Sequence, residues 1–79
     1  LTTLNFAIPV DSRTSLLIYN MQGRKIYTLL DNNIEAGYHS VTWNADNYSS
    51  GLYFVKMIAS PLENSEHIFI NTKKLMLVK

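Results

Sequence analysis

The 79-residue chain predicts an all-β fold, a small antiparallel β-sandwich of about six or seven strands. Apolar and polar residues alternate: Leu4, Phe6 and Ile8 with Thr3, Asn5 and Ala7, and His39, Val41 and Trp43 with Tyr38, Ser40 and Thr42. That period of two is the pattern of half-buried strands. Three glycines fourteen residues apart, Gly23, Gly37 and Gly51, open "GRKIYTLL", "GYHSVTWN" and "GLYFVKMI". Each places a residue free to take positive φ ahead of a β-branched and aromatic run. The residues between do not match, so this is a turn–strand rhythm and not an internal repeat. No stretch carries a helical period. The nearest, "YTLLDNNIEAG", is broken by Asp31-Asn32-Asn33 and stops on Gly37, leaving room for one helical turn at most.

The first strand is expected from Thr2 to Val10; Pro9 lies near its end, where a missing N–H costs least, which marks a sheet edge. The second runs from Thr14 to Asn20 with Leu16 and Ile18 on one face, the third from Arg24 to Leu30, and the fourth from Tyr38 to Asn44. The fifth, Leu52 to Ala59, is apolar on both faces apart from Lys56, and the last spans about His67 to Val78. Between them, "VDSR", "NMQGR", "DNN", "NADNYSSG" and "SPLENSE" read as turns or loops, where Asp, Asn and Ser bond their own backbone.

This length sets one domain over residues 1–79, burying only about 60% of its unfolded surface. The apolar share of 47% is that of a globular fold. No apolar run approaches the ~18–20 residues of a membrane helix, and no signal peptide opens the chain. It begins with Leu1 instead of Met, so a trimmed or processed piece of a longer chain is expected. The absence of cysteine removes disulfides, zinc–thiolate sites and thiol nucleophiles. A net charge of +1 is too small to argue for nucleic acid, although residues 67–79 hold three lysines and no carboxylate.

No residues form a catalytic constellation. His39 is in phase with Val41 and Trp43 and reads as a hydrogen-bonded structural histidine, while His67 beside Glu66 reads as a solvated pair. The carboxylates are scattered through turns, so no enzyme activity is expected. Asp31–Asn33 with Glu35, and Asp46 with Asn44 and Asn47, lack the spacing of a calcium loop, so no metal or cofactor is expected. Only Lys73 and Lys74 are adjacent basic residues, in an aliphatic setting that does not fit nucleic acid. Tyr19, Tyr27, Tyr38 and Tyr48 offer either a platform for polysaccharide, as in the accessory module of a secreted enzyme, or covering for the sandwich faces. In "SSGLYFVKM", Tyr53 follows Gly51 by two residues, similar to the tyrosine corner of Greek-key sandwiches and consistent with an immunoglobulin-like topology.

Taken in order, these pieces resemble one family. Pro9 closes an apolar strand; Tyr19-Asn20 closes the next; Gly23-Arg24 makes the turn. Ala36-Gly37-Tyr38-His39 follows with Val41 and Trp43, then Ser49-Ser50-Gly51-Leu52-Tyr53, and last Lys73 to Lys79. This pattern resembles the type A C-terminal sorting domain of the type IX secretion system, found at the ends of secreted Bacteroidetes proteins. Two departures stand out: the usual Asn-Pro opening is missing, and "ASPLENSEHIFIN" is longer than the usual hairpin loop. The fold also resembles the immunoglobulin-like module of flagellar hook-capping proteins, a scaffold module internal to its parent chain.

The resemblance implies a signal that carries a covalently joined N-terminal cargo through the periplasm to an outer-membrane secretion translocon. A sortase-like peptidase then usually removes the domain, and the cargo is secreted, or anchored at the cell surface on lipopolysaccharide. It also implies that recognition lies in the last strand, at Lys73, Lys74, Leu75, Met76, Leu77, Val78 and Lys79. Gly23, Arg24, Gly37, Trp43, Gly51 and Tyr53 are then the motif positions that shape the fold. One face of that strand, Leu75 and Leu77 or Met76 and Val78, can lock into the sandwich while its edge meets a partner through main-chain pairing. The lysines also discourage edge-to-edge association, and a dimer through edge strands stays open.

Overall fold

The computed structural model describes residues 1–63 and 66–78. Its six strands are β1 (Thr2–Ile8), β2 (Ser12–Tyr19), β3 (Lys25–Ile34), β4 (Gly37–Trp43), β5 (Gly51–Pro61) and β6 (Phe69–Leu77). β1 and β4 form a two-stranded sheet, and a second sheet has the order β3-β2-β5-β6, with every pair antiparallel. This all-β arrangement is compatible with a small immunoglobulin-like sandwich. Three connections, β1 to β2, β3 to β4 and β4 to β5, cross from one sheet to the other.

The alternation seen in the sequence decides which faces meet. Across the two-stranded sheet Leu4 sits opposite Val41 and Thr2 opposite Trp43. Across the larger sheet Leu16 sits opposite Met57 and Ile18 opposite Val55. The buried cluster is Ile18, Trp43, Ala45, Tyr53 and Leu77, with Leu4, Ile26, Leu29, Tyr48, Val55 and Leu75 packed against it. Trp43 is 1% exposed, and its ring lies 5.3 Å from that of Tyr48 and 5.8 Å from that of Tyr53, the latter edge-on. Such tilted aromatic contacts add about 0.5–1.5 kcal/mol each beyond the area they bury. The indole Nε1 of Trp43 is buried without a hydrogen-bond acceptor among the described residues.

The opposite end is held by polar groups. The backbone N–H of Ala36 donates to Asp11 Oδ1 at 2.8 Å, and that of Leu62 donates to the Asp11 carbonyl at 3.1 Å. One aspartate therefore ties the β1–β2 connection to the β3–β4 connection and to the end of β5. Ser12 and Thr14 are fully buried beside it and donate to the carbonyls of Val10 and Ser12.

Several boundaries differ from expectation. β1 ends at Ile8, so Pro9 lies just past the strand, though β1 does have one unpaired edge. Asp31-Asn32-Asn33 is strand, not turn, because β2 supplies partners: Arg13 Nε and Nη2 donate to Asp31 Oδ1 at 3.1 and 3.0 Å, and Ser15 Oγ donates at 3.3 Å. Two register shifts, between Leu16 and Leu17 and between Ile18 and Tyr19, interrupt the β2–β3 ladder. Such irregularities break strict alternation, which is how Ile26 and Leu29, three apart, both reach the core. Ser60-Pro61 also belongs to β5, and β6 starts at Phe69, leaving His67 ahead of it.

The hairpin between β2 and β3 shows why its glycine is needed. Asn20 Oδ1 accepts from the N–H groups of Gln22 and Arg24, and Gly23 N–H donates to the Asn20 carbonyl with φ at +80°. Gly37 opens β4 at φ +125°, outside the left-handed helical well that other residues can visit.

Gly37→Ala is expected to cost about 1–3 kcal/mol from backbone strain alone, since the added Cβ meets no atom within 4 Å. Gly23→Asn is expected to cost less than about 1 kcal/mol, because asparagine tolerates positive φ. Urea titrations of both variants check this, and equal losses would contradict it. Trp43→Ala is expected to lose about 3–5 kcal/mol, comparable to the whole stability of a domain this small, so its near-ultraviolet dichroism should collapse. Trp43→Phe, which removes the unpaired N–H along with the volume, should retain a folded spectrum.

Candidate functional site

Among the described residues β6 pairs with β5 along one edge and has no strand along the other, so it closes the core and borders the sheet at once. Of the two ways its apolar residues could face, Leu75 and Leu77 point inward. Leu75 packs on the core and Leu77 belongs to it at 6% exposure, whereas Met76 is 64% and Val78 80% exposed. The reason is register: Leu77 opposite Gly51 and Leu75 opposite Tyr53 place both on the face that carries Tyr53 and Val55. Lys73 and Lys74 sit opposite Val55 and Phe54, and both are exposed. Among the described residues neither has an ion-pair partner, the pair Arg13–Asp31 lying across the sheet on β2 and β3. Lys79 lies outside the described residues. The strand thus presents an open main-chain edge, two unpaired cations and an outward apolar residue at Met76.

The motif residues fall into three groups, of which Gly37 stands alone at the start of β4, opposite Ile8 and away from the aromatic cluster. Trp43, Tyr53 and Gly51 gather at the aromatic end beside Leu77, and the Tyr53 hydroxyl donates to the Ser49 carbonyl at 2.7 Å, tying down the β4–β5 connection as a tyrosine corner does. Tyr48 in that connection donates to the Ile26 carbonyl at 3.3 Å. Gly23 and Arg24 form the β2–β3 hairpin, which uses only the backbone groups of Arg24 while its side chain stays exposed.

The other candidates do not converge. His39 is half-buried, stacks on Phe6 at 5.5 Å and has its Nε2 2.6 Å from the Glu35 carbonyl, a structural setting. Tyr48 is packed on Trp43, Tyr38 stands on the two-stranded sheet, and Tyr19 and Tyr27 stand on the other, so the rings make no shared platform. Asp31 is engaged by Arg13 and Ser15, and among the described residues no three His, Cys, Asp or Glu side chains converge on a metal position. One contributor was not expected from the sequence, and an expected one gains its meaning from the fold. Asp11 looks like any turn aspartate in "VDSR", and the unpaired edge of β1 becomes relevant only because the fold sets it near β6.

Residues 2–71 match a family model described as the secretion system C-terminal sorting domain. The matched span ends before Lys73, so it covers β1 to β5 and the start of β6. A search of curated proteins and a search of solved structures each returned no match. The match extends over nearly the whole fold, in agreement with the motif order and the all-β architecture. A domain of this kind is a type IX sorting signal borne by a cargo protein, which is exported and ends up secreted or at the cell surface. It acts with the secretion machinery and with the cargo region ahead of it, and is not itself the catalytic part. This chain belongs to the type IX secretion system C-terminal sorting domain family.

Proposed function

We propose that residues 1–79 act as one sorting unit whose signal is read from β6. The outer-membrane translocon engages Lys73, Lys74 and the open edge of β6, together with the residues that follow it to Lys79, while Leu75 and Leu77 hold the strand in the sandwich. After passage, a sortase-like peptidase separates the domain from its covalently joined N-terminal cargo. The observation that carries this reading is the position of β6: it is the sheet's border strand, and among the described residues its two cations have no ion-pair partner and its edge is open. A machine that handles many cargoes needs a feature independent of them, and main-chain pairing to an edge supplies it. Gly23, Arg24, Gly37, Trp43, Gly51 and Tyr53 serve this indirectly, by building the sandwich on which β6 rests.

Deleting residues 73–79 from the full-length parent is expected to leave the cargo in the periplasm, as read by cell fractionation. That deletion also removes Leu75 and Leu77 from the core, so a second variant separates recognition from folding. Lys73→Ala with Lys74→Ala keeps both leucines and is expected to lower surface delivery several-fold with an unchanged urea midpoint. Normal delivery of the truncated protein would sink the proposal.

A further inference from the structure

A groove of about 350 Å³ runs between β1 and β6. Its floor comes from alternate residues of the inner sheet face, Leu16, Val55 and Met57. Its walls are built differently. On β1 four successive residues, Leu4 to Ala7, line it, and on β6 Lys73, Lys74 and Leu75 do so in succession. A strand that turned only a face to a cavity would contribute every second residue, because side chains alternate. Successive residues mean that both strands present their edges. Among the described residues neither edge is otherwise used, since β1 pairs only with β4 and β6 only with β5. The sandwich is therefore open along one seam, with hydrophobic floor and main-chain donors and acceptors on either side.

The charges of the lining come from Lys73 and Lys74 alone, with the amides of Asn5 and Asn71 as its other polar side chains. Lysine on an edge strand guards against self-association, and two copies of β6 brought together would set cations near cations. That protective role accounts for the lysines but leaves the apolar floor beside them unexplained. We propose that the seam receives an extended acidic segment of a partner polypeptide, which adds as a strand between β1 and β6. Its apolar residues alternate toward Leu16, Val55 and Met57, and its outward carboxylates meet Lys74, while Lys73, which starts from the inner face opposite Val55, reaches a carboxylate at the mouth of the seam. This rests on the reading of β6 as the recognition strand and specifies what that strand recognises.

The test uses two synthetic peptides of about ten residues, a full strand's length, one alternating valine with glutamate and the other valine with lysine. Each is titrated into the isotope-labelled 79-residue protein while backbone amide signals are followed. The glutamate peptide is expected to shift the amides of residues 4–7 and 71–75 saturably, to slow their hydrogen exchange, and to bind at least about tenfold tighter than the lysine peptide. Lys73→Glu with Lys74→Glu should reverse that preference. Equal affinity for the two peptides, shifts confined elsewhere, or no saturation at any soluble concentration would overturn the inference. So would a protein that is already dimeric with those amides shielded, which would put a second copy in the seam. Delivery of cargo by the same variants in cells is scored separately. Failed peptide binding with impaired delivery discards the acidic-strand partner alone, whereas intact delivery in the Lys→Ala double variant discards the recognition role of β6.

Discussion

The fold rests on the contact between two sheets that share no ladder. β1 and β4 pair only with each other, so side chains and three crossing connections must hold them to the larger sheet. Trp43 is the principal link. It projects from β4 onto Tyr53 of β5 and Tyr48 of the connecting loop, beside Ile18 and Leu77. In a chain of this size a single buried tryptophan is a large part of the apolar area available. At the far end Asp11 does the corresponding work with hydrogen bonds to Ala36 and Leu62. One end is closed by ring packing and the other by a carboxylate and a carbonyl.

β6 occupies a double position within that frame. Its inward leucines complete the aromatic end, so the strand is part of the core; its outer edge and its lysines are left to solvent, so it is also a surface. The proposed reading of β6 as the signal strand uses both properties. A segment that was only exposed would have no fixed shape, and one that was only buried would be unreadable. The flat register opposite β5 supplies the shape, and the border position in the sheet supplies access.

Much of this could be read from residues alone, and the limits have physical causes. Strands patterned on one face, such as β1 and β4, announce themselves by alternation, and glycines fourteen residues apart mark two strand starts and the β2–β3 turn. β3 was harder, because two register shifts put Ile26 and Leu29 on the core side out of phase, and because Asp31-Asn32-Asn33 is turn chemistry until Arg13 and Ser15 stand across from it. Which face of β6 turns inward was undecidable from "LMLV", where both faces are apolar; the register with Gly51 and Tyr53 decides it. The seam was invisible for a related reason. A sequence shows what each strand carries but not which unpaired edges the topology brings together. Asp11 carries no mark in the sequence, because a turn aspartate and a clasp have the same local surroundings in the chain.

The aromatic end has one more consequence, and it concerns mechanics. Thr2 lies opposite Trp43, and Leu77 packs in the cluster that contains Trp43, so the first residue of β1 and the last of β6 emerge at the same end of the sandwich. A pull between a cargo ahead of β1 and a grip on β6 would therefore not shear the ladders lengthwise. It would peel β1 from β4 and β6 from β5 starting at their tips, breaking one pair of hydrogen bonds at a time. Strands loaded this way give at low tension although the resting fold is well packed. Packing at rest and opening under load are thus separate properties of this fold, because the strand tips at one end are shared by both.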